Sequence, residues 1–346
     1  MTASVLQLVA GKTALAQIQQ HGLRPADVGT LIGASGGPKW FTLFGIDQYL
    51  LREFFAGHNQ PIELLGSSAG AWRFACYAQQ DGAAALRRFC DAYRTLCYPK
   101  NASVRQVTQI SHQVIDAIFP TEQHVQQVLQ HPVFRLNLIV AGKTGGPLAQ
   151  SRALQLAQIS KVALANLLKR RLVGRYYHRL MFSHTDSRLQ PPADLPSHKV
   201  TLSQANLPKA LLASGSIPLV LETVREIPGL DYADYVDGGL TDYHFDWPLA
   251  QEKLVLYPHF YPHLSPGWFD KSLRWRRVKP QQRDNLVLLC PTPAWVRSLP
   301  YGKIPDRTDF NKLSDANRIA YWQQVTERSF ELADALRQQH FAITSL

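Results

Sequence analysis

Gly66-Ser67-Ser68-Ala69-Gly70 follows an apolar run, Ile62-Glu63-Leu64-Leu65, and precedes a helix-competent stretch, Ala71-Trp72-Arg73-Phe74-Ala75-Cys76-Tyr77-Ala78. Strand, tight turn and helix in that order are the context a Gly-x-Ser-x-Gly nucleophile elbow requires. Gly66 and Gly70 remove the Cβ atoms that would collide where the strand doubles back into the helix. Ser68 is then lifted off the sheet edge at a helix N-terminus. Free N–H groups and the helix dipole favour developing negative charge there. An ordinary helix N-cap also prefers Ser, so the rest of the chain has to decide.

Upstream lies Leu31-Ile32-Gly33-Ala34-Ser35-Gly36-Gly37-Pro38-Lys39-Trp40, between an expected strand (28–32) and an expected helix (39–55). A glycine-rich strand-to-helix loop turns backbone N–H groups toward an anion. The spacing of Gly33 and Lys39 is close to that of a P-loop. However, Pro38 replaces its second glycine and Trp40 replaces the Ser or Thr that would hold Mg²⁺. An oxyanion hole needs only about two donors aimed at one oxygen. Downstream, Asp234-Tyr235-Val236-Asp237-Gly238-Gly239-Leu240 puts a carboxylate at the end of a short strand, before glycines that let another backbone approach closely. An Asp-Gly hairpin turn uses the same dipeptide.

Taken in this order, the three segments resemble the patatin-like phospholipase family. Its pattern is a Gly-Gly-Gly-x-Lys/Arg-Gly loop, a Gly-x-Ser-x-Gly elbow and an Asp-Gly-Gly/Ala segment. A fourth stretch, running from Asn206 to Ser214-Gly215-Ser216-Ile217-Pro218, resembles the helix and Ala-Ser-x-Ala-x-Pro-like turn of that family. The resemblance spans residues 27–255. It implies a Ser–Asp dyad with Ser68 as nucleophile, Asp237 as its partner and no catalytic histidine. It also implies an oxyanion hole from Gly36, Gly37, Lys39 and Ala69, with Gly66, Gly70, Gly238 and Gly239 as motif glycines. The implied substrate is a lipid or another ester, with no cofactor and no metal. The chain departs from the pattern at Ala34-Ser35, where the family has Asp-Gly, and at Trp40, where it has Gly. Pro38 has no N–H to give.

An aspartate near its ordinary pKa of about 3.9 is a poor base at neutral pH. The dyad therefore requires a raised pKa or a very close pair. A rival reading is an α/β-hydrolase triad, with Ser68, Asp237 and His259 in the required order and His244 and His263 as further candidates. The glycine loop lacks the His-Gly lead usual in that group. A third reading is a lipid-binding protein without turnover, suggested by the altered glycine loop.

Apolar strand-like runs at 28–32, 62–65, 136–141, 199–202, 235–236, 253–257 and 285–290 are mostly separated by helix-like stretches. This alternation implies a three-layer α/β/α fold with a mainly parallel sheet covered on both faces. Residues 83–130 read as two or three helices inserted after the elbow helix, a natural cap over the site. The 346 residues suit one large domain with an appendage rather than two equal domains. The expected division is an acyl-hydrolase domain over 1–255 and a packed C-terminal extension over 256–346. A final helix is expected over 314–339, with Ile319, Trp322, Thr326, Phe330, Ala333 and Arg337 on its inner face. Cys76, Cys90, Cys97 and Cys290 show no metal-binding spacing and read as small buried hydrophobes.

The formal charge is +11, from 37 Lys and Arg against 26 Asp and Glu. One basic cluster is Lys169-Arg170-Arg171 with Arg175 and Arg179, after an apolar helical run (154–168). The other runs from Trp268 to Lys279 and interleaves aromatic residues with cations. Such clusters suit an anionic membrane surface, where each charge adds about 1 kcal/mol. A solvated basic face would carry them equally well. No nucleic-acid-binding motif accompanies them, so no nucleic-acid partner is expected. The N-terminus lacks the basic start and long apolar core of a signal peptide. No stretch reaches about 18 apolar residues. The expected location is therefore cytoplasmic, peripheral at the inner face of a membrane if it docks there.

Overall fold

The apolar runs become strands of one sheet. The computed structural model describes residues 4–249, 252–278 and 283–346, so Lys279 of the second basic cluster lies outside the described residues. The strands are β1 (Leu6–Ala10), β2 (Val28–Gly33), β3 (Ile62–Ser67), β4 (Phe134–Lys143) and β5 (Tyr177–Ser183). They continue as β6 (Ser197–Thr201), β7 (Tyr235–Asp237), β8 (Leu254–Pro258), β9 (Leu286–Pro291) and β10 (Ala342–Ser345). Their order is β10-β1-β9-β8-β2-β3-β4-β5-β6, with β7 paired to β4 off this path. The pairs β1/β9, β4/β5 and β4/β7 are antiparallel and the others parallel. Every residue of β3, β8 and β9 is buried. A strand covered on both faces needs a continuous apolar run of this kind.

The helices are α1 (Lys12–His21), α2 (Phe44–Tyr49), α3 (Ala69–Tyr77), α4 (Gly82–Arg94), α5 (Val104–Ile118) and α6 (Glu122–Leu129). After them come α7 (Arg152–Leu168), α8 (Leu207–Ser214), α9 (Pro293–Ser298), α10 (Asp309–Lys312) and α11 (Asp315–Arg337). Together with the sheet they make a three-layer α/β/α fold. The segment expected to hold an inserted cap forms α4, α5 and α6. Beyond residue 256, β9 pairs with β8 and β1, and β10 pairs with β1.

Helix α3, which follows the elbow, is anchored by a fully buried ion pair. Arg73 donates to both oxygens of Asp47 (2.8 and 2.6 Å), and Tyr77 Oη donates to Asp47 Oδ1 (2.8 Å). Helix α11 buries a wider stripe than expected. Trp322, Thr326 and Ala333 are buried as expected, and Arg318, Val325, Ser329, Leu332 and Leu336 are buried beside them, whereas Phe330 is 38 % exposed and Arg337 is exposed. Arg318 and Ser329 can be interior because each finds a partner. Arg318 donates to the Arg94 and Leu96 carbonyls, and Ser329 Oγ accepts from Gly45 N–H (2.8 Å). Cys97 is exposed, unlike the other three cysteines.

Candidate active site

Strand register brings Ser68 and Asp237 together. Strand β3 pairs with the first half of β4, placing Ser67 opposite Ile139. Strand β5 occupies the other edge of β4, so β7 continues along the edge that β3 vacates. There Asp237 lies opposite Val140, the next residue of β4. The chain end of β3 and that of β7 thus meet at one point. A Cβ on Gly238 would run into the Ile139 carbonyl, and one on Gly70 into the Gly33 carbonyl. Only glycine permits both approaches.

Ser68 adopts φ 52° and ψ −130°, a conformation a non-glycine residue holds only when its surroundings impose it. Its N–H donates to Ser214 Oγ (2.9 Å), which donates to the Ile139 carbonyl (2.7 Å). The Ser67 hydroxyl donates to the Asp242 carbonyl (2.7 Å) and lies 2.7 Å from Ser35 Oγ, tying the glycine loop to the elbow. Ser68 Oγ donates to Asp237 Oδ2 at 2.8 Å. Gly239 N–H donates to Asp237 Oδ1 at 2.6 Å. Burial raises the Asp237 pKa above the usual carboxylate range. The hydrogen bonds from Ser68 and Gly239, then the Arg307 and Lys271 charges, oppose that rise without cancelling it.

Among the described residues, the N–H groups of Gly36, Gly37 and Ala69 have no hydrogen-bond partner. These residues line the same cavity as Ser68. The Lys39 N–H is instead directed at the Gly36 carbonyl (3.4 Å), and Lys39 Nζ pairs with Asp306. Gly66 lies at the end of β3, where an added Cβ would sit 2.7 Å from Ala71 N.

All these donors and the Ser68–Asp237 pair line one cavity of about 670 Å³. Trp72, Tyr93, Leu96, Val107, Val114 and Leu221 give it apolar walls. Lys39, Lys271 and Arg307 line it as well. Arg307 Nη1 is buried without a hydrogen-bond partner. Lys271 is exposed as a residue, but its ammonium lies over the Tyr243 ring at 3.9 Å. Burial of that ammonium, then the Arg307 and Lys39 charges, lower its pKa. Arg307 and Lys271 escaped the sequence reading because neither belongs to a motif. The only sequence signal was the basic run containing Lys271.

The histidines of the rival triad are elsewhere. No histidine lines the cavity among the described residues. His259 Nδ1 lies 2.7 Å from the Tyr261 carbonyl oxygen, and His244 Nδ1 accepts from the Ser265 N–H (3.0 Å). Burial lowers the His259 pKa to about 3, which keeps its ring neutral. His263 stacks on Tyr261. The direct Ser68–Asp237 bond fills the place an intervening imidazole would need.

No family model matches the chain, and no curated protein matches it. Among solved structures, it is similar to VipD from Legionella pneumophila, with 11 % identity and a TM-score of 0.33. The alignment covers 75 % of this chain and 53 % of that one, so the chain spans about half the length of VipD.

Proposed function

We propose that this protein is a serine acyl-ester hydrolase in which Ser68 is the nucleophile and Asp237 its base. The 2.8 Å hydrogen bond from Ser68 Oγ to Asp237 Oδ2 carries this reading. A serine hydroxyl is a weak nucleophile and needs a base within such reach. The raised Asp237 pKa meets the requirement for a better base than an ordinary aspartate. The ordered motifs, similar to those of patatin-like phospholipases, support the same reading.

In this mechanism Asp237 takes the Ser68 proton as Oγ attacks the ester carbonyl. The tetrahedral oxyanion accepts hydrogen bonds from the free N–H groups of Gly36, Gly37 and Ala69. One such donor is worth about 3–4 kcal/mol of barrier. Asp237 then gives its proton to the leaving alkoxide. Water repeats the cycle on the acyl-enzyme, with Asp237 again as base, and releases the acid. The apolar walls suit an acyl chain. The Arg307 guanidinium, whose Nη1 has no hydrogen-bond partner, suits an anionic group beside the ester, as in a phospholipid or lysophospholipid.

The test is hydrolysis of a medium-chain p-nitrophenyl ester by wild type, Ser68→Ala, Asp237→Asn and His259→Ala, followed by phospholipid vesicles. Activity lost in the first two variants and kept in the third supports the dyad. Loss in folded His259→Ala overturns it in favour of a triad. A wild type inactive on both substrates overturns the hydrolase reading.

A further inference from the structure

Helix α7 turns apolar residues outward. Its buried stripe is narrow and consists of Ile159, Val162 and Asn166. Away from that stripe, Leu154, Leu164 and Leu168 are 62 %, 61 % and 69 % exposed. Leu156 and Leu167 are also exposed. A surface helix normally keeps its outward face polar. A contiguous apolar patch rimmed by polar groups marks a binding surface, unlike scattered single residues.

The C-terminal end of α7 is bound to the segment that follows residue 267. Asn166 Nδ2 donates to Asp270 Oδ1 (2.7 Å), and Arg276 Nη2 donates to the Asn166 carbonyl (2.8 Å). This brings Trp275, 68 % exposed, to the same end of the helix. Trp268 and Lys271 of the same segment line the cavity that holds Ser68. The end of α7 is thus tied to the segment that forms part of the cavity rim.

The stretch of chain that carries the patch holds charge of one sign. From Arg135 to Arg179 the chain contains no Asp or Glu. Three members of that basic run are used internally, Arg135 against Glu63 at 3.9 Å and two others. Arg179 is buried against Asp242 and Asp194, and Arg170 lies within ion-pair distance of Asp194, Asp242 and Asp270. Lys161, Lys169, Arg171, Arg175, Arg274 and Arg277 form no ion pair among the described residues. A two-fold contact with a second copy would set these cations against themselves. An anionic lipid surface would neutralise them while taking up the leucines.

We propose that the outward face of α7, together with Trp275 and the surrounding cations, docks on an anionic lipid bilayer. The helix would lie in the plane of the interface. No helix is long and apolar enough to cross a membrane among the described residues. The proposal rests on the patch alone, so it does not depend on catalysis by Ser68.

Co-sedimentation with phosphatidylcholine vesicles, with and without phosphatidylglycerol, tests it. The proteins are wild type, Leu164→Ser/Leu168→Ser and Lys169→Gln/Arg171→Gln, each checked for an unchanged melting temperature. Wild type should pellet with the phosphatidylglycerol vesicles and be released by salt. Each neutralised cation should weaken partitioning about fivefold. The leucine pair should weaken it about tenfold or more. Hydrolysis of a dissolved short-chain ester should be the same in all three. An inactive wild type that still pellets leaves the docking surface standing and fails only the catalytic reading. A wild type that stays in the supernatant overturns the proposal. So do variants that pellet like wild type, or a dimer that the leucine substitutions dissociate.

Discussion

Asp237 and Asp242 lie in one short segment, and both are buried. Their environments push them in opposite directions. Asp237 accepts from a neutral hydroxyl and a backbone N–H, and burial raises its pKa. Burial would raise Asp242 too, but the Arg179 guanidinium, bonded to both of its oxygens at 2.7 and 2.9 Å, prevails and lowers it. Trp247 Nε1 adds a third bond to Asp242 at 2.8 Å. A permanent cation turns a buried carboxylate into an anchor, whereas a hydroxyl partner leaves it able to take a proton. The anchor also serves the site, because the Asp242 backbone carbonyl accepts from Ser67 beside the elbow.

The largest effect expected from breaking this contrast is on activity. Ser68→Ala and Asp237→Asn should each lower ester hydrolysis by about 10⁴ or more with little change in folding. Asp242→Ala should do the reverse. It takes from the buried Arg179 its bidentate partner and leaves only the part-exposed Asp194, which costs about 3 kcal/mol in urea unfolding. If Asp237→Asn destabilises as much as Asp242→Ala, the two carboxylates are not of different kinds. Stability against pH separates them further. The depressed Asp242 contributes stability that is present above the ordinary carboxylate pKa and lost as pH falls through its folded pKa. The raised Asp237 contributes in the opposite sense, and its contribution is lost as pH rises through its folded pKa.

A smaller effect belongs to Ser214, which touches neither carboxylate. Ser214→Ala leaves the Ser68 N–H and the Ile139 carbonyl unpaired, at a cost of about 1–3 kcal/mol. It should also lower kcat with KM little changed, since the elbow loses a constraint. Unaltered kinetics would show that the Ser68 conformation is imposed elsewhere. The smallest effect sharpens the contrast. Arg307 holds the Asp237 pKa down, so Arg307→Gln should move the acid limb of the kcat/KM profile to higher pH. A limb that stays in place or moves to lower pH would remove Arg307 from the electrostatics of Asp237.

Much of the fold was legible where the signal is local. Strands β2, β3, β4, β8 and β9 are buried almost throughout, so each reads as an apolar run. Strand β5 did not read that way. It contains His178 and Arg179, and Arg179 passed for surface charge because its partners Asp194 and Asp242 are remote in sequence. Strands β1 and β10 are short terminal segments that pair with one another and, through β1, with β9. The buried stripe on α11 is wider than expected for a related reason, since Arg318 goes inside with Asp315 one turn before it and with the Arg94 and Leu96 carbonyls, which are remote in sequence.

Sequence alone singled out the turn at Ser68, the glycine loop and the carboxylate at Asp237 as candidates. Each is made of residues adjacent in the chain, yet each also admits a plainer reading, as a helix N-cap, a tight loop or an Asp-Gly turn. Only the tertiary structure separated Asp237 from Asp242, left the free N–H groups to Gly36, Gly37 and Ala69, and added Arg307 to the cavity. Those outcomes depend on which groups are neighbours after burial. In a low-dielectric interior the neighbour, more than the residue type, sets whether a carboxylate is an anchor or a base.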